Sequence, residues 1–117
     1  MHVTSPSPVT MELTRGGGSI ILARADFWQS APTGWVLVTS ASFQNVAKSP
    51  ETQTVKLPKG QYTVVFTCRV EESINGVYDF AFSTAGKPLY ADKGNVNTTS
   101  DPHDSKAYKD QFVLDVT

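Results

Sequence analysis

The stretch Leu57-Pro58-Lys59-Gly60-Gln61-Tyr62-Thr63-Val64-Val65-Phe66-Thr67-Cys68-Arg69-Val70 decides the fold class of this chain. From Tyr62 onward, apolar side chains alternate with mostly polar ones. The apolar face comprises Tyr62, Val64, Phe66, Cys68 and Val70, and Val65 is the one apolar residue on the opposite face. Period-two alternation in a segment rich in β-branched and aromatic residues predicts a long β-strand with one buried face. Pro58 and Gly60 mark a turn before it.

Similar patterns recur along the chain. Apolar and polar residues alternate at 9–14, 52–57, 77–83 and 107–116, whereas 19–25 and 35–39 are apolar on both faces, and residues 26–29 are candidates to prolong the former. A very short strand is expected at 89–91, and no 3.6-residue periodicity is evident. We therefore predict an all-β protein, an antiparallel β-sandwich of about seven to nine strands, immunoglobulin-like or jelly-roll. A small β-barrel is the alternative.

Two turn signals predict hairpins. Asn75-Gly76 is a strong hairpin signal and predicts that 61–71 pairs side by side with 77–83. Gly16-Gly17-Gly18 predicts a hairpin between the first two strands, because glycine tolerates positive φ. The polar segment from Asp92 to Ser105 is expected to be the most mobile internal loop.

The length of 117 residues is that of one domain. Residues 1–8, with Ser5-Pro6-Ser7-Pro8, are expected to be a flexible lead-in, and 9–117 a single β-sandwich domain. Residues 1–9 lack the apolar core of a signal peptide, so a cytoplasmic location is expected if Met1 is the native start. No apolar run approaches the roughly 20 residues that span a bilayer, and membrane insertion is not expected.

Composition narrows the classes of partner. The formal net charge is −1 and charged residues make up 18% of the chain, so neither nucleic acid nor an anionic membrane is expected to bind. The single cysteine, Cys68, precludes an intramolecular disulfide. Its place on the apolar strand face predicts a buried, inert thiol.

Residues 57–64 follow the pattern Leu-Pro-x-Gly-x-Tyr-x-Val, which resembles a phrase common in bacterial immunoglobulin-like and fibronectin-like modules. The resemblance implies a β-sandwich and covers eight residues only. Immunoglobulin domains pair two cysteines across a buried tryptophan, but here Trp35 has only Cys68 available. Phe66 stands where the family has tyrosine, two residues before the cysteine. Topology and function therefore stay open.

Candidates for catalysis and metal binding are few. His103 lies between Asp101 and Asp104, and Asp92 to Asn97 carries oxygen ligands around a glycine. A solvated polar loop is the favoured interpretation of both, so no metal or cofactor is predicted. For nucleophilic catalysis, Cys68 with His103 is the one cysteine–histidine combination, since His2 lies in the lead-in. Burial of Cys68 would disfavour the thiolate that such catalysis needs. We do not expect an enzyme.

Aromatic residues beside turns favour binding. Trp28, Trp35, Tyr90 and Tyr108 are candidate platforms, and core packing is the expectation for Trp35. The predicted site consists of Trp28, Gln29, Tyr90, Asp92 and Asn95 on one loop-end surface. We expect a non-enzymatic binding module that recognises a protein or carbohydrate partner. The alternatives are a structural subunit that assembles through its sheet edges and, third, a small enzyme.

Overall fold

The computed structural model describes residues 1–71, 76–96 and 105–117, which form two packed β-sheets. In chain order the strands are β1 (His2–Ser5), β2 (Val9–Gly17), β3 (Ile20–Ala31), β4 (Gly34–Phe43), β5 (Glu51–Val55), β6 (Gly60–Glu71), β7 (Val77–Thr84), β8 (Lys87–Asn95) and β9 (Ser105–Val116). The five-stranded sheet has the order β1-β9-β6-β3-β4, and the four-stranded sheet β5-β2-β7-β8. All neighbours are antiparallel except β1 and β9, which run parallel.

The sandwich prediction is confirmed. The described residues contain no helix, and the two sheets are not closed into a barrel, which removes the alternative. None of their elements is a helix long and apolar enough to cross a membrane.

Strand β6 lies at the centre of the five-stranded sheet, between β9 and β3. Its predicted faces are confirmed, because its apolar set is buried and Arg69 is exposed. Its register with β9 runs from the Gly60↔Val116 pair to the Glu71↔Ser105 pair, so the whole strand is paired. The Tyr62 hydroxyl donates a hydrogen bond to the Pro58 carbonyl at 2.6 Å, which holds the preceding turn against the strand.

The core is an aromatic layer between the sheets. The Phe66 ring stacks on Phe82 of the facing sheet at a centroid distance of 4.2 Å and on Tyr90 at 5.5 Å. Phe82 also meets Phe43 edge-to-face at 5.9 Å. Ring contacts of this kind add to the stabilisation that comes from burying the aromatic area.

The predicted 61–83 hairpin is wrong. β6 belongs to the five-stranded sheet and β7 to the four-stranded sheet, so the two strands face each other across the sandwich. Their aromatic residues do meet, but through the core instead of as cross-strand neighbours. Gly76 has a positive φ of 73°, and the rest of the connection, 72–75, lies outside the described residues.

The hairpin predicted at Gly16-Gly17-Gly18 is also wrong, because this segment crosses between the sheets. β2 is in the four-stranded sheet and β3 in the five-stranded one, so Gly16-Gly17-Gly18 carries the chain from one sheet to the other. Gly17 has a φ of 85°, and a Cβ there would lie 2.3 Å from the Val77 carbonyl oxygen. Glycine is thus required both by the backbone conformation and by the close approach of β7.

The flexible lead-in expected for residues 1–8 is not what the structure has over residues 2–5. These residues form β1, in which Val3 pairs with Leu114 of β9. Val3 and Ser5 are buried while His2 and Thr4 are exposed. The apolar Val3 gains burial by closing the edge of the core, which outweighs the freedom of a terminal segment.

Strand β8 is longer than the short strand predicted at 89–91. Residues 92–95, which were assigned to a polar loop, continue the strand by pairing with β7. Val96, the one aliphatic residue of that predicted loop, is buried. Residues 97–104, which include His103, lie outside the described residues. The mobility expected for this loop therefore stays a prediction.

A buried ion pair holds the edge of the sandwich. The Arg15 Nη1 atom lies 2.8 Å from Glu51 Oε1, and each side chain is only 6% exposed. The guanidinium also donates to the carbonyl oxygens of Ile21, Phe43, Asn45 and Lys48 at 2.7–2.9 Å. Arg15 therefore joins β2 to β3 and to the β4–β5 connection.

Replacement of Phe66 by alanine should lower the free energy of unfolding by about 3–5 kcal/mol, because it leaves a cavity in the aromatic layer. Urea denaturation followed by circular dichroism measures this loss. The matched control is Thr67→Ala on the outer face of the same strand, with an expected loss below about 1 kcal/mol. Equal losses for both variants would contradict the assignment of the two faces.

Arg15→Ala should cost about 3–5 kcal/mol, since it leaves the Glu51 carboxylate buried without its partner. The control is Arg24→Ala, because Arg24 forms a surface pair with Asp26 at 2.6 Å and its side chain is 57% exposed. Such an exposed pair contributes below about 1 kcal/mol. The double variant Arg15→Met/Glu51→Leu should recover part of the loss in the same titration, and no recovery would mean that the carbonyl contacts dominate.

Candidate functional site

The five residues predicted to form one site are divided between the two sheets. Trp28 and Gln29 lie on β3 of the five-stranded sheet, whereas Tyr90, Asp92 and Asn95 lie on β8 of the four-stranded sheet. The prediction of a single surface that includes Trp28 and Tyr90 is therefore wrong. Both aromatics are close to turn signals in the sequence, but β8 continues to Asn95, which places Tyr90 within a strand.

Tyr90 belongs to the core. Its side chain is 7% exposed and packs against both Phe66 and Phe82. Burial, with a smaller effect of the Asp110 charge, raises the pKa of Tyr90 to about 12. The ring cannot serve as a surface platform.

Asp92 is part of a polar cluster at the strand ends. Its Oδ2 atom accepts hydrogen bonds from the Tyr78 hydroxyl at 2.9 Å and from Lys106 Nζ at 3.1 Å, and Lys106 also donates to the Tyr78 oxygen at 2.8 Å. Burial alone would raise the pKa of Asp92, but the bonds from Lys106 and Tyr78 together hold it below its ordinary value. The cluster joins β7, β8 and β9. Asn95 is exposed nearby and pairs with Val77 in the β7–β8 register.

Trp28 is half-buried on the outer face of the five-stranded sheet, in phase with Asp26 and opposite in direction to the buried Phe27. Its cross-strand neighbours are Leu37 on β4 and Thr63 on β6. Gln29 points the other way, and its amide nitrogen lies close to Gly60. The two adjacent predicted residues therefore lie on different faces.

A groove of about 380 Å³ runs across this outer face beside Trp28. It is lined by Trp28, Trp35, Thr63, Val65 and Gln111. Val65 and Gln111 are cross-strand neighbours in the β6–β9 register. The lining combines two indole rings, one hydroxyl and one amide, and none of these five side chains is charged.

The β3–β4 hairpin that supplies the tryptophans is unusually apolar. Trp35, Val36, Leu37 and Val38 are consecutive and are 60%, 49%, 42% and 40% exposed. The expectation that Trp35 packs in the core is wrong. In β4 only Ala41 and Phe43 are buried, so the burial that the strand gains is limited to its end. Gly34 to Val38 extends beyond that cover.

A bulge shapes this hairpin. Phe27 pairs with Thr39 and Trp28 pairs with Leu37, so Val38 is an extra residue on β4. Bulges bend a strand and increase its local twist. Trp35 and Leu37 share the outer face with Trp28, whereas Val36, the neighbour of Gln29, faces the other side.

The other half of the outer face is polar and internally paired. Arg24 Nε lies 2.6 Å from Asp26 Oδ1, and Ser40 donates to the same oxygen atom at 2.5 Å. Arg69 Nε lies 2.9 Å from Glu71 Oε1. The groove residues therefore stand beside neutralised ion pairs.

The predicted site did not include Thr63, Val65 and Gln111, and Trp35, one of the four candidate platforms, was expected in the core. The sequence does carry a signal for this patch, because Val65 and Val113 are the apolar residues on the otherwise polar faces of β6 and β9. The register places Thr63 beside Val113 and Val65 beside Gln111, so these positions form one patch with Trp28. Apolar side chains on the solvent-exposed face of two neighbouring strands indicate a contact surface.

Groups for catalysis are sparse in the part of the chain described. No group of three or more His, Cys, Asp or Glu side chains there is arranged to hold a metal ion. Cys68 is buried, as predicted, and burial raises the pKa of its thiol to about 12. The candidate Cys68–His103 pair and the Asp101–His103–Asp104 cluster lie wholly or partly outside the described residues.

Native Cys68 should not react with a thiol reagent such as Ellman's reagent at pH 8, because the thiolate is the reactive form and is disfavoured by burial. One thiol per chain should react once denaturant unfolds the protein. The absorbance of the released chromophore measures both rates. Rapid, stoichiometric labelling without denaturant would contradict the inert role of Cys68.

Comparisons with protein-family models, curated proteins and solved structures give no match to this chain. The immunoglobulin-like and bacterial character suggested by residues 57–64 therefore stays a prediction, whereas the two-sheet sandwich is a property of the structure itself.

Proposed function

We propose that this protein is a non-enzymatic binding module whose ligand occupies the groove beside Trp28 and Trp35. The observation that supports the proposal most is the exposure of an apolar hairpin next to that groove, with Trp35 60% exposed. Large apolar side chains in water are unfavourable, and contiguous exposed patches mark interaction sites in soluble proteins.

The lining favours an uncharged ligand. A charged group would lose its hydration on entering the groove, and none of the five lining side chains offers an opposite charge. Two indole faces, the Thr63 hydroxyl and the Gln111 amide suit a ligand with apolar faces and hydroxyl groups at its rim. Of the two partner classes expected from the sequence, a neutral carbohydrate fits this chemistry better than a charged protein surface.

Affinity should be modest. The groove lies open on a sheet face, so a ligand is covered on one side only, and few contacts are made. Each exposed aromatic contact contributes about 1–2 kcal/mol, so a few such contacts reach the roughly 4–8 kcal/mol that corresponds to millimolar to micromolar dissociation constants. Tighter binding would need several sites to act together.

A structural subunit that assembles through its sheet edges is the second candidate. The observation in its favour is the exposed edge strand β4, which contains no charged residue between Gly34 and Phe43. A long, uncharged, apolar edge is the arrangement that pairs with another strand.

Binding can be measured from the protein's own fluorescence, because its two tryptophans both line the groove. A panel of soluble neutral oligosaccharides (glucans, mannans and xylans) should include at least one that shifts the tryptophan emission on titration. Trp28→Ala and Gln111→Ala should each weaken binding of that sugar by about tenfold or more, since one lost contact of 1.4 kcal/mol is tenfold. Calorimetry replaces fluorescence for the Trp28 variant.

Val46→Ala is the matched control, because Val46 is 47% exposed but lies in the β4–β5 connection, away from the groove. Its affinity should equal that of the wild type. A panel in which no sugar shifts the emission, or in which Gln111→Ala binds normally, would overturn the carbohydrate proposal. If no sugar shifts the tryptophan emission but a displayed peptide does, then the ligand of the groove is a protein instead of a carbohydrate.

A further inference from the structure

The described strands leave four sheet edges, and they differ in how well they are protected. β1 has four residues and β5 has five, so each offers few free backbone groups. β8 carries Lys87, Pro88, Asp92 and Lys93 and a register irregularity next to Phe82. Short length, charge, proline and bulges are the devices that prevent strands from pairing with other chains.

β4 lacks most of these devices. It has ten residues, none of them charged and none of them proline. Its second half is shielded, since Ala41 and Phe43 are buried and the strand contacts β5. The bulge at Val38 separates this half from the first. The exposed length is Gly34–Val38, where side chains on both faces are apolar and exposed.

We propose that two copies of this chain pair through their β4 edges, antiparallel and about a two-fold axis near Val36. The two five-stranded sheets then form one continuous sheet of ten strands. In this register Trp35 of one copy lies beside Leu37 of the other on the outer face, and the two Val36 side chains meet on the opposite face. Aromatic–aliphatic and β-branched cross-strand pairs of this kind stabilise antiparallel sheets.

A second copy fits the edge better than an unrelated strand for two reasons. The strand added must be apolar on both faces over the same short length, and Gly34–Val38 itself has that pattern. It must also bring no uncompensated charge, and this segment has none, while the chain as a whole has a net charge of only −1. Self-pairing therefore meets no electrostatic penalty.

The same reasoning limits the assembly to a dimer. An isologous contact uses the same edge of both copies and closes on itself. The remaining three edges of the described sheets are short or carry charges and proline, so none of them extends the sheet further. This inference deepens the second candidate function by naming what occupies the edge. It does not depend on the groove, because Trp28, Thr63 and Gln111 lie on β3, β6 and β9, and Trp35 is the one lining residue that also belongs to the edge.

Analytical ultracentrifugation of the whole chain from about 1 to 500 µM tests the proposal. The mass should rise with concentration from 12.7 kDa for one chain to twice that value and no further. Val36→Lys should shift the equilibrium to monomer by at least tenfold, since it places two like charges opposite each other across the axis. Val46→Lys, at an equally exposed site outside the edge, should dimerise as the wild type does.

A second variant keeps the test decisive if Val36→Lys does not fold. Val36→Cys should form a disulfide-linked dimer under mild oxidation, whereas Val46→Cys should not, and the buried Cys68 does not interfere. A monomer throughout the concentration range, unchanged dimerisation of Val36→Lys, or failure of Val36→Cys to cross-link would overturn the proposal. Sugar binding by a wild-type chain that stays monomeric throughout the concentration range would show that the groove functions even when the edge proposal fails.

Discussion

The stacking of Phe66 on Phe82, with centroids 4.2 Å apart, is the contact on which the rest of the structure depends. It joins the central strand of one sheet to the other sheet, and Tyr90 and Phe43 pack around it. Every strand that reaches this layer must turn its apolar face inward, which leaves the outer faces to solvent. The outer face of the five-stranded sheet is thereby free to carry the groove.

Alternation along β6 was enough to predict which of its side chains face the core, and it was not enough to predict the neighbour of the strand. A strand shows the same alternation whether the next strand lies beside it or opposite it. The positive φ of Gly17 and of Gly76 is compatible with a crossover between sheets as well as with a hairpin. The two predicted hairpins are therefore wrong, whereas the all-β sandwich and the buried face of β6 are predicted correctly.

The candidate site was harder to predict for a related reason. Apolar residues on both faces of a strand usually indicate cover on both sides, and for Trp35 to Val38 this expectation is wrong because the second sheet stops short of them. The extent of each sheet depends on how strands from distant parts of the chain align, which local periodicity does not contain. Trp28 was found from the sequence, but the neighbours that make it part of a groove come from β6 and β9.

The groove and the β4 edge use different chemistry on the same hairpin. The groove acts through side chains on one face, whereas the edge offers backbone hydrogen bonds in the plane of the sheet, so apart from Trp35 a ligand and a second copy contact different atoms. They share Trp35, which lines the groove and also belongs to the exposed edge segment. If pairing changes the environment of this ring, then binding and dimerisation are linked, and by thermodynamic reciprocity each must alter the other by the same factor. Pairing would also bring two weak grooves onto one continuous face, which is the arrangement that converts modest single-site affinity into avidity for a repeating ligand.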